Sequence, residues 1–133
     1  MAAERDESGV RDQRQDLGLR GERLAEAFLR KKGLKTVARR FATPAGEIDL
    51  IERDRDTLVF VEVKTRADDR LAEPEQAVNA GKQRKLAAAA RFYVNRNQLT
   101  DAPCRFDVVA VILPADGQPR VNHFPDAFVP KRW

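Results

Sequence analysis

Residues 46–65 read GEIDLIERDRDTLVFVEVKT, and three ionisable side chains in this stretch stand where a buried strand would carry apolar ones. Leu58, Val59, Phe60 and Val61 form a continuous apolar run, as expected of a strand covered on both faces. Glu62 and Lys64 then interrupt it, with Val63 between them. Residues two apart on a strand share a face, so Glu62 and Lys64 are expected on one side while Val61 and Val63 keep facing the core. By the same rule Glu47 and Asp49 share one face of the preceding strand, and Ile48 and Leu50 share the other. The polar link at 52–56 is short enough for a hairpin connection.

A hairpin symmetric about Arg55 and Asp56 sets Asp49 opposite Glu62 and Glu47 opposite Lys64. Directly opposed residues have Cβ atoms roughly 4.5–5.5 Å apart. Two carboxylates that close repel, and one is normally protonated unless a cation sits between them. A hard divalent cation such as Mg²⁺ takes carboxylate oxygens and keeps several waters, which removes the conflict. A lysine two residues from such a glutamate then stands ready to hold a water or the negative charge developing on a phosphate.

Asp49, twelve residues, then Glu62-Val63-Lys64 resembles the core of the PD-(D/E)xK nuclease superfamily, whose restriction-endonuclease-like fold includes Holliday-junction resolvases. More narrowly, GEIDLI followed by LVFVEVKTR, with Gly21-Glu22 upstream and RFDVVAV downstream, resembles the small bacterial YraN-like family over residues 17–128. The resemblance implies an α/β domain with a mixed central sheet flanked by helices. It also implies Mg²⁺ or Mn²⁺ on Asp49, Glu62 and the backbone carbonyl of Val63, with Lys64 beside them. Glu22, from the first helix, would reach the metal through water.

Plainer readings stand beside this one. Glu-x-Lys alone is a weak pattern, although of the 21 acidic residues only Glu62 is followed two positions later by lysine. An ion pair at a strand end would account for Glu62 and Lys64, and Glu22 and Glu47 would serve equally as surface residues. Arg105 and Asp107, two apart on a later strand, read first as a salt bridge and second as support for the metal site.

With 133 residues the chain fits a single domain with one real core. Its 35% charged residues give a heavily charged surface, and the net charge of +4 says less than its distribution. Residues 27–46 carry six basic side chains and no acidic one, and residues 79–100 carry five, again with no acid. Such segregation is the electrostatic footprint of a nucleic-acid binder, or else two solvated helix faces. One histidine, His123, and one cysteine, Cys104, leave nothing for Cys/His zinc clusters or an internal disulfide. With no suitable serine motif near His123, a Ser-His-Asp hydrolase is set aside. No stretch is long and apolar enough to span a membrane and residues 1–16 lack a hydrophobic signal region, so a cytoplasmic protein is expected.

Along the chain, residues 1–16 read as a disordered charged tail and 17–133 as the folded domain. Residues 17–32 read as a helix with its apolar stripe on Leu17, Gly21, Leu24 and Phe28, widened by Ala25 and Leu29 and closed by Gly33. A strand follows at 34–41, with Val37, Arg39 and Phe41 on one face. Pro74 opens a short helical stretch, with Ala77 and Val78 as its core candidates, and Gly81 separates it from a longer helix at 82–97. Strands follow at 105–113 and 118–124. Lys82, Arg84 and Lys85 crowd the start of the long helix, where basic residues oppose the helix dipole unless an anion is present; a phosphate backbone would be that anion. With Arg40, Thr65 and Arg66, they form the expected nucleic-acid contact set.

The function expected is metal-dependent hydrolysis of a nucleic-acid phosphodiester, with structured or branched DNA as substrate. The alternative is a non-catalytic nucleic-acid-binding or scaffolding protein on the same fold. A domain this small, acting on both strands of a duplex, would need a second copy, so a homodimer is expected.

Overall fold

The computed structural model describes residues 2–68 and 78–130, with side chains from residue 15 onward. Helix α1 spans Ala2–Lys31, strand β1 Lys35–Thr43, β2 Gly46–Asp54 and β3 Thr57–Arg66. Helix α2 follows at Ala80–Arg96, then β4 at Cys104–Ile112 and β5 at Arg120–Phe128. The five strands form one sheet in the order β1-β2-β3-β4-β5. Strands β3 and β4 are parallel, and every other neighbouring pair is antiparallel. A parallel pair needs a long crossover, and α2 lies within it. The result is an α/β domain with a mixed sheet between two helices, consistent with a restriction-endonuclease-like fold.

Alternation along β3 builds both layers of the core. Leu58 and Phe60 join Leu86, Ala90, Tyr93 and Val94 of α2 on one face. Val59 and Val61 join Ala25 and Leu29 of α1 on the other. Such two-sided cover is what the unbroken apolar run at 58–61 foretells. Glu62 and Lys64 continue on the α2 face, as expected.

Helix α1 begins well ahead of the expected Leu17 start, and its buried stripe is narrower than the expected one, running along Gly21 and the Ala25-Leu29 edge. Gly21, Ala25 and Leu29 are buried, whereas Leu17 is exposed and Leu24 and Phe28 only half-buried. Gly21 sets this edge as the one that meets the sheet. A Cβ there would run into the Thr65 hydroxyl at the end of β3, so a residue without a side chain lets α1 lie directly on that strand.

Several element boundaries also shift. Gly81 lies within the first turn of α2 and does not divide two helices; Asn79 caps the helix by accepting the Lys82 N–H through Oδ1 at 2.9 Å. Val78 is buried as expected, while Pro74 and Ala77 lie outside the described residues. In β1 a bulge between Thr36 and Ala38 turns Val37 outward and breaks the expected Val37-Arg39-Phe41 face. Strand β5 continues past Pro125 to Phe128 because it is an edge strand, where proline costs no ladder bond. There the chain bulges through Asp126 at φ 51, and the Asp107 carboxylate accepts the Asp126 N–H at 2.9 Å. Phe128 then stacks on Phe106 with ring centroids 5.2 Å apart. Trp133 lies outside the described residues.

Candidate functional site

The expected hairpin register is present, with Asp54 opposite Thr57 and Leu50 opposite Val61, but the ladder stops at that last pair. Glu47 pairs instead with Ala42 of β1, so it is not the ladder partner of Lys64. The face assignment of β2 changes at the same point. Ile48 packs in the α2-side core and Leu50 in the α1-side core, although strict alternation would give them one face. The strand therefore switches faces at Asp49. This directs the Asp49 side chain along the gap between β2 and β3, where Oδ2 accepts the Val63 N–H at 2.8 Å. On the other flank, Arg39↔Leu50 and Phe41↔Ile48 bracket Arg40 opposite Asp49, and Arg40 takes φ 47.

The fork in the sheet gathers charge from both helices. Glu62 is buried, and its Oε1 lies 3.6 Å from Lys64 Nζ and 3.5 Å from Lys82 Nζ at the start of α2. Glu22 of α1 accepts from Arg40 Nε at 2.9 Å. Burial, then the charge of Glu62, pushes the Asp49 carboxyl up to about 7; the Val63 N–H and Lys82 oppose the shift, and Glu22 adds to it. Glu22, Asp49, Glu62, Lys64, Lys82 and Arg40 thus form one electrostatic unit. Lys82 was expected among phosphate contacts, yet here it faces a carboxylate. Its place three residues after the Asn79 cap was the available signal, since the first turn of α2 points at the sheet end that carries Glu62.

The remaining expected contacts surround this unit unevenly. Thr65 is turned against Gly21, and Arg66 ends β3 with its carbonyl accepting the Leu113 N–H at 2.7 Å. Arg84 and Lys85 are exposed, and Lys85 stands near Gly46, at the turn between β1 and β2. The basic stretch at 27–46 is partly paired within the chain, although Arg30 and Arg39 stay largely exposed. Arg39 and Arg30 both bind the buried Glu26 carboxylate, with Arg39 Nε at 2.6 Å and Arg30 Nη2 at 3.0 Å, and Lys32 Nζ lies 2.9 Å from His123 Nδ1.

Arg105 and Asp107 form a salt bridge on the opposite face from Glu62. Asp107 is fully buried and accepts from Arg105 Nε at 3.1 Å and from the Asp126 N–H, while His123 Nε2 lies 2.7 Å away. Arg105 also reaches Asp54 at 2.9 Å, so this network ties the hairpin turn to β5 and lies apart from the carboxylate fork. Burial alone would raise the Asp107 carboxyl, but the bonds from His123, Arg105 and Asp126 outweigh it and hold the group below the ordinary range.

As a metal centre the fork offers a small donor set. Among the described residues no three His, Cys, Asp or Glu side chains converge as ligands. Asp49, Glu62 and a backbone carbonyl are oxygen donors of the type a Mg²⁺ site takes, which uses one or two carboxylates and keeps several waters. The sign of fit is the buried Asp49 carboxyl, held up first by burial and second by the charge of Glu62, because a divalent cation beside it would offset both.

The sequence model of the uncharacterised protein family UPF0102 matches residues 21–111, a span that contains the whole fork. A UPF0102 protein of Syntrophotalea carbinolica is 42% identical over 91% of this chain and 98% of the relative. One of Anaeromyxobacter dehalogenans is 44% identical over 90% of this chain and 89% of the relative. Among the described residues no helix is long and apolar enough to cross a membrane.

Proposed function

The chain belongs to the uncharacterised protein family UPF0102, and from the geometry of the fork we propose that it is a PD-(D/E)xK-type nuclease that hydrolyses nucleic-acid phosphodiesters, with structured or branched DNA as substrate. One observation carries the reading. Two mutually repelling carboxylates, Asp49 and Glu62, meet at the end of the hairpin ladder with two lysine ammonium groups on Glu62. Replacing such charges with apolar residues would often stabilise a fold, so their presence asks for a chemical role.

Asp49, Glu62 and the Val63 carbonyl would hold Mg²⁺ or Mn²⁺, and Glu22 would orient a water of the metal. Bound there, the ion would polarise a phosphoryl oxygen and make water a better nucleophile. Lys64 would orient the attacking water and balance negative charge on the phosphorus. Lys82, sharing Glu62 with Lys64, is free to exchange that carboxylate for a phosphate oxygen. Arg66, Arg84, Lys85 and Arg40 would bind the backbone without reading sequence, and Thr65 would position the end of β3. The charged tail expected at 1–16 has no part in this reading.

The non-catalytic alternative draws support from the same contacts, since two lysines already neutralise Glu62 without a metal. Calorimetric titration of Mn²⁺ into wild type and Asp49→Ala, run beside nicking of branched and linear DNA, separates the two. Binding and cleavage that both vanish in the variant are expected. DNA binding by wild type with no metal uptake would leave the binding module.

A further inference from the structure

Arg40 is the residue of the fork whose position is hardest to explain as packing. It is a non-glycine residue at φ 47, a region that disfavours side chains other than Asn, Asp and His and stores on the order of 1 kcal/mol or more. Neighbouring ladder pairs set it opposite Asp49. Its guanidinium binds Glu22 at 2.9 Å and feels the charges of Glu47 and Asp49, so it stands over three carboxylates at once. Nearly half of its side-chain surface remains in solvent, which leaves it reachable by a ligand.

We infer that Arg40 is a positioning residue that exchanges between Glu22 and a nucleic-acid phosphate, and that this exchange couples metal binding to nucleic-acid binding. The inference rests on the metal-dependent reading of the site. While Arg40 holds Glu22, it neutralises a carboxylate that would otherwise turn toward the metal's water, and its positive charge repels a divalent cation beside Asp49. A phosphate draws the guanidinium away, since a bidentate Arg–phosphate contact equals or exceeds a half-exposed Arg–carboxylate pair. Glu22 is then released, and the positive charge opposing the metal moves outward. Each ligand thereby favours the other, as linkage requires.

Three full-length chains test this: wild type, Arg40→Asn and Arg40→Lys, with Mn²⁺ affinity read by proton relaxation without and with a short DNA duplex. Asparagine tolerates positive φ, so Arg40→Asn removes the charge and keeps the fold, which its melting temperature checks. Without DNA, Arg40→Asn binds Mn²⁺ about two- to fivefold tighter than wild type, the size of one screened ion pair. DNA raises the Mn²⁺ affinity of wild type by a larger factor than that of Arg40→Asn, and Arg40→Lys restores part of the difference. Equal affinities of wild type and Arg40→Asn without DNA, or an equal gain from DNA, would overturn the exchange and leave the metal site standing. No Mn²⁺ uptake by any of the three chains would overturn the metal site itself and the exchange with it.

Discussion

Asp49 Oδ2 accepts the Val63 N–H at 2.8 Å where the β2–β3 ladder has ended, so one side chain takes over the backbone's pairing and keeps its carboxylate in the gap. That position costs stability once the group ionises. Its carboxyl is raised from 3.8 to about 7 by burial first and the charge of Glu62 second. A raised acid is fully compatible with folding below its ordinary pKa, and its contribution is lost as pH climbs through the folded value. Asp49→Asn keeps an oxygen acceptor for Val63 and cannot ionise. In chelator, urea midpoints should agree for wild type and variant near pH 4, and the variant should be on the order of 2–4 kcal/mol more stable at pH 8. Equal stability at pH 8 would show that Asp49 carries no ionisation cost.

Lys82 and Lys64 lie 3.5 and 3.6 Å from the same Glu62 oxygen, so either can leave while the other keeps Glu62 paired. Lys82 is the more exposed and stands at a helix start without acidic residues in its first turn. It is therefore the one expected to transfer to phosphate. Lys82→Ala should reduce the slope of log affinity against log salt for duplex DNA by about 1, whereas Lys64→Ala should change cleavage far more than the slope. An unchanged slope in Lys82→Ala would confine Lys82 to its pairing with Glu62.

The parts of this fold that were legible in the sequence are those governed by local period and turn chemistry. The apolar run at 58–61, the turn at Arg55 and Asp56 and the resulting register follow directly, as does the shared face of Glu62 and Lys64. The face switch at Asp49 did not, because Glu47-Ile48-Asp49-Leu50 alternates as any half-buried strand would and nothing local marks the inversion. Tertiary packing decides it: Ile48 goes to the α2 core and Leu50 to the α1 core. The stripe of α1 contained the buried Gly21, Ala25 and Leu29 but was centred too far toward Leu17, Leu24 and Phe28, for a related reason. Leu17 and Leu24 outrank Gly21 and Ala25 in hydrophobicity, but close approach of a helix to a strand selects the small residues. Charge segregation along the chain also did not show that Glu26, which lies outside the basic segment in sequence, pairs with Arg30 and Arg39 in space.

Glu52 is fully buried on the α1 side of β2, and neither carboxylate oxygen has a hydrogen bond of good geometry, the Thr36 side chain being the one group near enough to offer a weak one. Burial raises its pKa, helped by the charge of Glu26, while the Thr36 side chain on the neighbouring strand and the Arg39 and Arg30 charges offset part of the shift. The sign matches that of Asp49: stability is intact below the ordinary carboxylate range and falls as pH rises through the raised value. Glu52→Met removes the orphaned oxygens at similar volume. A gain of about 1–3 kcal/mol in urea denaturation at pH 8, shrinking toward pH 4, is expected. A loss at pH 8 would mean that the Thr36 side chain satisfies the buried Glu52 carboxylate.

Gly21 and Thr65 hold α1 against the end of β3, and the residue after Gly21 is Glu22 of the fork. In an isolated helix Gly→Ala would stabilise by roughly 1 kcal/mol. Here the added Cβ meets the Thr65 hydroxyl, so α1 must move off the sheet, and Gly21→Ala should destabilise by about 1–3 kcal/mol despite the better propensity. Glu22 would move with the helix, weakening both its pair with Arg40 and its influence on Asp49. Adding Thr65→Ala removes the colliding oxygen and should recover part of the stability, giving a coupling energy of opposite sign to the single cost. Because Glu22 returns with the helix, the double variant should also recover the Mn²⁺ affinity that Gly21→Ala loses with DNA present, when Arg40 has released Glu22. Recovery of stability without recovery of metal affinity would separate Glu22 from the site.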